Sequence, residues 1–240
     1  MRFTIDSDKI KAMASVIGSV TNEAKVSMKP EELSILAVDP AHIAMVGITI
    51  PSKAMPGWNP DCDEIGLDMV KLAATAKLMG ETAEVEIDNF DHISFRSGNL
   101  TRNMRLLDTS AMSTPKIPNI NMGISVCSNA KDISNALKGM ATIDSDAVTF
   151  HVKNDSFLIY TETDTDDIAF RDNGTVCKVV SKGEACSAYP KEYIMDAFKT
   201  IPATMDVMLS FDSDYPVEIR FTDGEMTGFY LVAPRVEASE

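Results

Sequence analysis

The chain has 240 residues, of which 45% are hydrophobic, and a net charge of −14 at pH 7. This length allows two domains of roughly 100 to 150 residues, each with its own core. No apolar run approaches the roughly 20 residues that cross a bilayer, and the N-terminus lacks a signal-peptide pattern, so we expect a cytoplasmic protein. The cysteines and histidines are scattered along the chain, so we expect reduced cysteines and no metal site. We also expect no cofactor.

One pattern of sequence elements occurs twice along the chain. In the first copy, MRFTID precedes the amphipathic helix SDKIKAMASVIGSV, and a second helix, LDMVKLAATAKLMG, precedes the alternating segment AEVEIDNFDHISFRSG. In the second copy, MGISVC precedes SNAKDISNALKGM, and YPKEYIMDAFKTI precedes MDVMLSFDSDYPVEIRFTDG. A repeat of this size predicts tandem copies of one domain.

The alternating segments indicate the fold class. Apolar residues at every second position, as at Val85 and Ile87 or at Val217 and Ile219, are typical of strands with one buried face. The sequence therefore predicts an α+β protein of tandem similar domains, each with antiparallel sheets that helices cover on one side. We place the N-terminal domain at residues 1–105, a connector at 106–121 and the C-terminal domain at 122–240.

The predicted connector contains Pro115 and Pro118, which disfavour a central strand and favour an extended segment on the surface. Its isolated apolar residues, Met112 and Ile117, have two interpretations. They are either anchors that pack on the core or part of a hydrophobic docking site.

Each predicted helix has an apolar stripe on one face and lysine on the opposite face or its flank. Such lysines are most often simply solvated. In a chain this acidic, however, basic faces on several helices indicate a local anionic partner, because a uniformly acidic surface repels phosphate. The lysines of these faces are Lys9, Lys11, Lys71, Lys77, Lys131, Lys138, Lys191 and Lys199.

Longer blocks of the sequence carry a resemblance to a known family. LSILAVDPAHIAMVGITIPSKAM (33–55), RLLDTSAMSTPKIPN (105–119) and YPVEIRFTDGEMTGFYLVAPRVE (215–237) occur in this order along the chain. Together they resemble the corresponding blocks of archaeal-type sliding clamps, the proliferating-cell nuclear antigen (PCNA) family. The resemblance covers essentially the whole chain.

The resemblance implies a DNA clamp fold that forms a ring. Family members assemble head to tail into a homotrimer whose helices line a hole that holds duplex DNA. The lysines named above then become the DNA-facing set, in sequence-independent contact with the phosphate backbone. Such a ring is a processivity factor of DNA replication: it tethers DNA polymerase, clamp loader, flap nuclease and ligase-type clients to DNA and is not an enzyme.

By the same resemblance, neighbouring subunits join through the edges of their sheets. One edge is the strand at Leu100–Leu107, and the other lies near Thr175–Ser181. Both edges are basic in sequence, and no charge complementarity between them is evident. The expected interface residues are Arg102, Met104, Arg105, Val176, Lys178 and Val180.

The resemblance also implies a pocket for a short hydrophobic motif of the clients. From the residues alone, a core histidine is the preferred explanation of His42 over a place in this pocket. The expected pocket residues are Val38, His42, Ile43, Met45, Met112, Ile117, Pro118, Tyr193, Pro216, Leu231, Ala233 and Pro234.

Two other classes of protein compete with a clamp. Acidic pairs such as Asp61/Asp63 and Asp212/Asp214 resemble ligands of hard cations. None continues into an EF-hand, because Pro216 stands where a ligand is needed after Asp212, and GxSxG, GxxxxGK, HExxH and GxGxxG motifs are missing from the sequence. We therefore expect no enzyme. The remaining alternative is an acidic scaffold that binds proteins without encircling DNA.

Overall fold

The structure is a computed structural model that describes residues 1–88 and 91–235. Residues 236–237, the end of the block 215–237 that resembles the sliding-clamp family, lie outside the described residues. Within the described ranges, every helix is too short or too polar to span a bilayer.

The elements follow the duplicated order that the sequence predicts. The first copy contains β1 (Arg2–Asp6), α1 (Ser7–Gly18), β2 (Glu23–Lys29), β3 (Glu32–Val38), β4 (Ala44–Pro51), a 3-10 turn (Ser52–Ala54), β5 (Glu64–Asp68), α2 (Met69–Ala76), β6 (Thr82–Asp88), β7 (His92–Ser97) and β8 (Leu100–Arg105). The second contains β9 (Ile124–Asn129), α3 (Ala130–Met140), β10 (Ala147–Lys153), β11 (Ser156–Glu162), β12 (Asp167–Asp172), β13 (Lys178–Val179), β14 (Ala185–Pro190), α4 (Lys191–Thr200), β15 (Asp206–Phe211), β16 (Val217–Thr222) and β17 (Thr227–Val232). The short strand β13 is the one addition to the repeat.

The chain divides into two compact units. One comprises Met1–Lys116 with Gly224–Gly228, and the other comprises Ile117–Asp223 with the segment that begins at Phe229. The division at Lys116 falls inside the predicted connector of residues 106–121. The predicted domain limits at residues 105 and 122 stay a prediction.

Antiparallel sheets and a pair of helices form the first unit. In one sheet the strand order is β1-β6-β7-β8, and in the other β4, β3, β2 and β5 are neighbours in that order. Phe3 lies opposite Val85, Val85 lies opposite Phe95, and all these side chains are buried. The helix α1 packs against α2 and against β3 and β4. The alternating strands are therefore covered on one face, as predicted.

The second unit repeats this arrangement around an aromatic core. Its sheets have the orders β12-β11-β10-β14 and β13-β9-β15-β16-β17. The ring of Phe150 in β10 lies 5.3 Å from that of Tyr189, 5.9 Å from that of Phe157 and 6.1 Å from that of Phe211, measured between centroids. Because Phe211 belongs to β15, these edge-on and tilted contacts join one sheet to the other.

Polar side chains determine where most of the helices begin. Asp6, Asp68 and Asn129 each precede a helix, and their side-chain oxygens accept a backbone N–H from its first turn. A cap of this kind stabilises a helix by about 0.5–2 kcal/mol relative to alanine. The fourth helix follows Pro190 without a side-chain cap. These start points set the phase of each helix and hence the side on which its lysines lie.

The beginning of the predicted connector is fixed on the first unit. Leu107 pairs with Gly66, whose carbonyl accepts the Leu107 N–H at 2.9 Å. A Cβ atom at position 66 would lie 2.6 Å from the Leu107 carbonyl oxygen. Only glycine allows this close approach of the two backbones.

Candidate nucleic-acid interface, sheet edges and docking segments

One lysine of each helix pairs with a carboxylate or an amide three residues earlier in the chain. These lysines are exposed, and residues at this spacing share one face of a helix. The Nζ–O distances are 2.7 Å for Lys11–Asp8, 3.0 Å for Lys71–Asp68, 3.1 Å for Lys138–Asn135 and 2.8 Å for Lys199–Asp196. An exposed pair of this kind contributes at most about 1 kcal/mol. An incoming phosphate can therefore replace the carboxylate at little cost.

The placement of Lys9 on an exposed face is wrong. Its side chain is only 10% exposed, and its Nζ lies 2.8 Å from a carboxylate oxygen of Glu225. Glu225 belongs to the segment Gly224–Gly228, which clusters with the first unit. Because a buried ammonium group needs a partner, this contact neutralises Lys9 and removes it from the lysines that are free to meet DNA.

The remaining predicted lysines differ in their surroundings. Lys77 and Lys131 are exposed, and neither makes an ion pair with any residue that the structure describes. Lys191 is half-buried at the start of α4, and its Nζ donates a hydrogen bond to the Ile143 carbonyl at 2.6 Å. Because its ammonium group is hydrogen-bonded to the Ile143 carbonyl before β10, Lys191 is less available for contact with DNA.

The strand β8 forms an open edge of the first unit. Among the described strands it has a neighbour on one side only, β7. Arg102 and Arg105 are exposed, whereas Met104 is buried and its sulfur accepts a hydrogen bond from the Thr75 hydroxyl at 3.2 Å. The Met104 side chain thus belongs to the core, and the place of this residue in the subunit interface stays a prediction.

The second predicted edge, near Thr175–Ser181, is short in the structure, and its strand β13 lies at the end of its sheet. Of Thr175–Ser181 only Lys178–Val179 forms a strand, β13, and this strand pairs with β9. The sheet of β10 and β11 ends instead at β12, which within the described ranges pairs with β11 alone. Val176 and Val180 are exposed, 41% and 51%, but lie outside any strand. At the other end of the sheet of β10 and β11, the Ala188 carbonyl of β14 accepts the Arg235 N–H at 2.8 Å. We therefore take β12 as the longer open edge of the second unit.

The longer edge at β12 differs in charge from the edge predicted near Thr175–Ser181. The residues around Glu162–Asp167, which lead into β12, include Asp164 and Asp166, and all of these carboxylates are exposed. The edge strand β8, in contrast, exposes Arg102 and Arg105. The segment that leads into β12 is thus acidic, although β12 itself exposes Arg171, and the β8 edge is basic; the sequence-predicted edges were both basic.

A buried aspartate shapes the loop between β3 and β4. Asp39 is 5% exposed, and its carboxylate accepts backbone N–H bonds from Ala41 at 3.0 Å, Ile43 at 2.7 Å and Ala44 at 2.7 Å. The loop holds His42 in the left-handed region, with φ of 57°. His42 is exposed, so the interpretation as a core histidine is wrong.

The apolar residues of the predicted connector are packed to different degrees. Ile117 is 56% exposed, and Pro118 is also exposed. Met112 is half-buried, and its N–H donates to the Thr109 carbonyl at 3.0 Å. Met112 thus behaves as an anchor, whereas Ile117 is available to a partner.

The other predicted pocket residues lie partly open in their own units. In the first unit, Val38 and Met45 face each other across β3 and β4, and both are half-buried. The half-buried members in the second unit are Tyr193, Pro216, Leu231, Ala233 and Pro234. Partial burial of apolar side chains is the state expected of a surface that a short peptide covers.

The acidic pairs of the sequence lie in turns. Asp61 receives a hydrogen bond from the N-terminal ammonium group at 3.2 Å, and Asp212 accepts the N–H of Ser213 at 2.8 Å. Among the residues that the structure describes, no group of three or more His, Cys, Asp or Glu side chains is arranged to hold a metal ion.

The carboxylate of Asp39 can be tested directly. We expect Asp39→Ala to lower the free energy of unfolding by about 1–3 kcal/mol, because it leaves the N–H groups of Ile43 and Ala44 without an acceptor. Hydrogen exchange should accelerate at these amides. Glu84→Ala, which removes an exposed carboxylate from the same unit, is the control and should change stability by less than about 0.5 kcal/mol. Unchanged exchange at Ile43 and Ala44 in the Asp39 variant would contradict this role.

Comparison with known proteins agrees with the fold and with the resemblance. No protein-family model matches the chain. A curated relative from Picrophilus torridus, named DNA polymerase sliding clamp, is 30% identical over 244 residues and covers 99% of both chains. Relatives of the same name from Thermoplasma acidophilum and Methanosarcina barkeri are each 29% identical; the former covers 99% of both chains and the latter 98%.

Solved structures give the same result. A solved structure of A. fulgidus PCNA with the C-terminal region of FEN-1 bound to it matches with a TM-score of 0.91 and 25% identity over 99% of each chain. PCNA from Thermococcus kodakaraensis, 16% identical over 98% of this chain and 99% of its own, has a TM-score of 0.88 and shows the fold alone. The predictions of the clamp fold and of a protein that is not an enzyme are confirmed by these relatives. The chain belongs to the family of DNA polymerase sliding clamps of the archaeal PCNA type.

Proposed function

We propose that the chain forms a homotrimeric ring in the cytoplasm that encircles duplex DNA and tethers DNA polymerase to it. The observation that carries the proposal is an exposed lysine three residues after Asp or Asn on each described α-helix, near the start of α1 and α2 and in the last turn of α3 and α4, in a chain with a net charge of −14. The relatives named DNA polymerase sliding clamp support it. Encirclement replaces affinity as the source of long residence on DNA.

The candidate DNA contacts are Lys11, Lys71, Lys138 and Lys199, with Lys77 and Lys131 as further exposed members of the set. A lysine that already has a carboxylate or amide partner gains little from each phosphate it meets. Weak contacts of this kind restrain the duplex only loosely and leave it free to slide. Because they meet the backbone, they do not distinguish one sequence from another.

The DNA-facing set is tested by charge reversal. We expect the combined variant Lys11→Glu, Lys71→Glu, Lys138→Glu and Lys199→Glu to lose polymerase stimulation by at least about tenfold, because each lost phosphate contact removes a counterion-release contribution. Light scattering should still show a trimer. The readout is primer extension on a singly primed circular template.

The control carries the same change in charge on other exposed residues: Lys29→Glu, Lys53→Glu, Arg96→Glu and Lys182→Glu. It should retain most of the stimulation. An equal loss in both variants would mean that net charge alone is responsible and would remove the assigned lysines from the DNA-facing set.

We propose further that the ring closes by pairing β8 of one copy with β12 of the next. Each strand has a described neighbour on one side only, so each offers free backbone groups to a partner strand. The basic side chains of β8 and the acidic segment before β12 are complementary, which favours this pairing over self-pairing of either edge. Half-buried Ile168 and Phe170 of β12 add apolar surface.

Charge changes at these edges should alter the oligomeric state. We expect Arg102→Glu with Arg105→Glu to raise the dissociation constant of the ring by at least about tenfold, since like charges then face each other. Light scattering over a dilution series measures the effect. Addition of Asp164→Lys and Asp166→Lys to the same chain should restore the trimer. Lys178→Glu with Lys182→Glu tests the other edge, and dissociation of that variant alone would overturn the assignment to β12.

Clients, we propose, dock a short hydrophobic motif at the connector. The exposed Ile117 beside Pro118 supports this, as does the structure in which the C-terminal region of FEN-1 is bound to A. fulgidus PCNA. DNA polymerase, clamp loader, flap nuclease and ligase-type enzymes are the proposed clients. The half-buried residues described above and exposed His42 remain the contact residues that the resemblance implies.

The docking proposal predicts that Ile117→Glu with Pro118→Glu weakens the binding of a client peptide by more than about tenfold, because a central apolar contact often contributes about 2 kcal/mol or more to the binding free energy. Isothermal calorimetry with the C-terminal peptide of a flap nuclease measures the change. Val180→Glu alters an exposed apolar residue elsewhere and should bind normally. Wild-type affinity in the connector variant would exclude this docking site.

A further inference from the structure

A pocket of about 350 Å³ opens on the outer face of the sheet formed by β10, β11 and β12. His151, Leu158 and Arg171 lie in one row across these strands, and Lys153 pairs with Ser156 in the next row. The alternate residues of the same strands, such as Phe150 and Ile159, are buried on the opposite face. The pocket therefore lies on the surface that does not pack against the core.

The lining of the pocket is basic although the chain is acidic. Lys153 and Arg171 contribute positive charges, and His151 lies two residues before Lys153 on the same strand, β10. The described residues contribute no carboxylate to the lining. Glu184 approaches Lys153 only to 3.8 Å, with both side chains more than half exposed. Arg171 makes no ion pair within the described part of the chain.

Two rigid turns hold the polar residues at the rim. Asn154 and Asp155 form the turn between β10 and β11, with φ values of 51° and 60°, as a tight hairpin of this twist requires. On the other side, the loop that contains Asn173 is fixed by the carboxylate of Asp172, which accepts the N–H groups of residues 174–177 at 2.8 to 3.1 Å. The Ser156 hydroxyl donates to the Asp172 carbonyl at 3.1 Å and ties the two sides together.

The inward orientation of Asp172 has an electrostatic consequence. Burial alone would raise the pKa of this carboxyl, but the four backbone donors outweigh it and hold the pKa below its ordinary value. The group is therefore ionised at neutral pH and is directed toward the loop backbone. Its charge strengthens the loop without occupying the pocket.

The groups that remain are hydrogen-bond donors of the kind that bind phosphate. The guanidinium of Arg171 offers a planar fork for two oxygens, and the ammonium of Lys153 offers a compact charge. The side-chain amides of Asn154 and Asn173 add neutral donors at the rim. The volume of about 350 Å³ lies at the lower end of the range for small-ligand sites, roughly 300–1,000 Å³.

We propose that this pocket binds a phosphoryl group. The site is separate from the lysines on the helices and from the connector, and it does not depend on the proposed function of either. Arg171, however, belongs to β12, the strand proposed to pair with β8 of the next copy. The phosphoryl group belongs either to a free phosphate compound or to a phosphorylated side chain of a partner protein. Both sources present the same dianionic oxygens to Arg171 and Lys153.

Calorimetry on the full chain at constant ionic strength tests the proposal. The probes are inorganic pyrophosphate and a phosphoserine tripeptide, with the unphosphorylated tripeptide as a blank. We expect saturable binding that Arg171→Gln with Lys153→Gln weakens by about tenfold or more, because these are charge-assisted hydrogen bonds. The control, Arg96→Gln with Lys29→Gln, makes the same change in net charge at exposed positions outside the pocket and should bind within about twofold of wild type.

The outcomes separate the sources and the alternatives. Binding of pyrophosphate without the phosphoserine peptide identifies a free phosphate compound, and binding of the phosphopeptide identifies a phosphorylated partner. Equal weakening in the pocket variant and the control would show a general charge effect and overturn the site, as would the lack of saturable binding by either probe. Thermal melting checks that the variants fold as wild type, which is expected because both altered side chains are exposed. Light scattering reports the oligomeric state separately, because Arg171 belongs to β12, the strand proposed to pair with β8.

Discussion

A chain with 36 acidic and 22 basic residues has to approach a polyanion, and this charge imbalance is the constraint on which the arrangement of its side chains depends. Duplex DNA is repelled wherever carboxylates face it without partners. Several carboxylates of the structure have a partner, either a lysine or backbone N–H groups. Asp8, Asp68 and Asp196 each lie beside a lysine on a helix, and Asp39 and Asp172 turn inward to backbone N–H groups.

Pairing on the helices affects the strength of DNA binding as well as its location. A free lysine exchanges its hydration for a phosphate, whereas a paired lysine must also release its carboxylate, which then lies close to the DNA. The net attraction per helix is reduced, and the contacts become weak and exchangeable. For a protein whose proposed hold on DNA is topological, weak contacts are sufficient. Stronger ones would only slow its movement along the duplex.

Much of the fold follows from period and spacing, which local sequence contains. The duplicated order of helices and alternating strands is visible because each buried face repeats every second or every 3.6 residues. The spacing of Asp or Asn three residues before lysine is also present in the sequence, as DKIK, DMVK, NALK and DAFK, and it matches the four lysines that pair within their helices. Local pattern was sufficient for these features because the interacting residues are neighbours.

The errors arose where a distant residue determines the outcome. Lys9 was placed on the surface because nothing near it in sequence reveals Glu225, its partner from another part of the chain. Met104 lies on an edge strand, and only its contact with Thr75 of α2 shows that its side chain belongs to the core. The strand β12 was missed because the carboxylates at Asp166 and Asp167 obscure the short alternation that follows them. Only the pairing of that strand with β11 reveals it.

Pairing of β8 with β12 and contact of the lysines with DNA depend differently on salt in the proposed ring. Contacts of lysine with duplex DNA lose strength steeply with salt, because each one depends on the release of counterions condensed on the DNA. Pairing of β8 with β12 combines charge attraction, which salt screens, with backbone hydrogen bonds and apolar contacts of Ile168 and Phe170, which it screens little. Rising ionic strength should therefore weaken the hold on DNA before it opens the ring. The closed ring, and not the lysines, then keeps the protein on the duplex, which is the physical basis of a clamp.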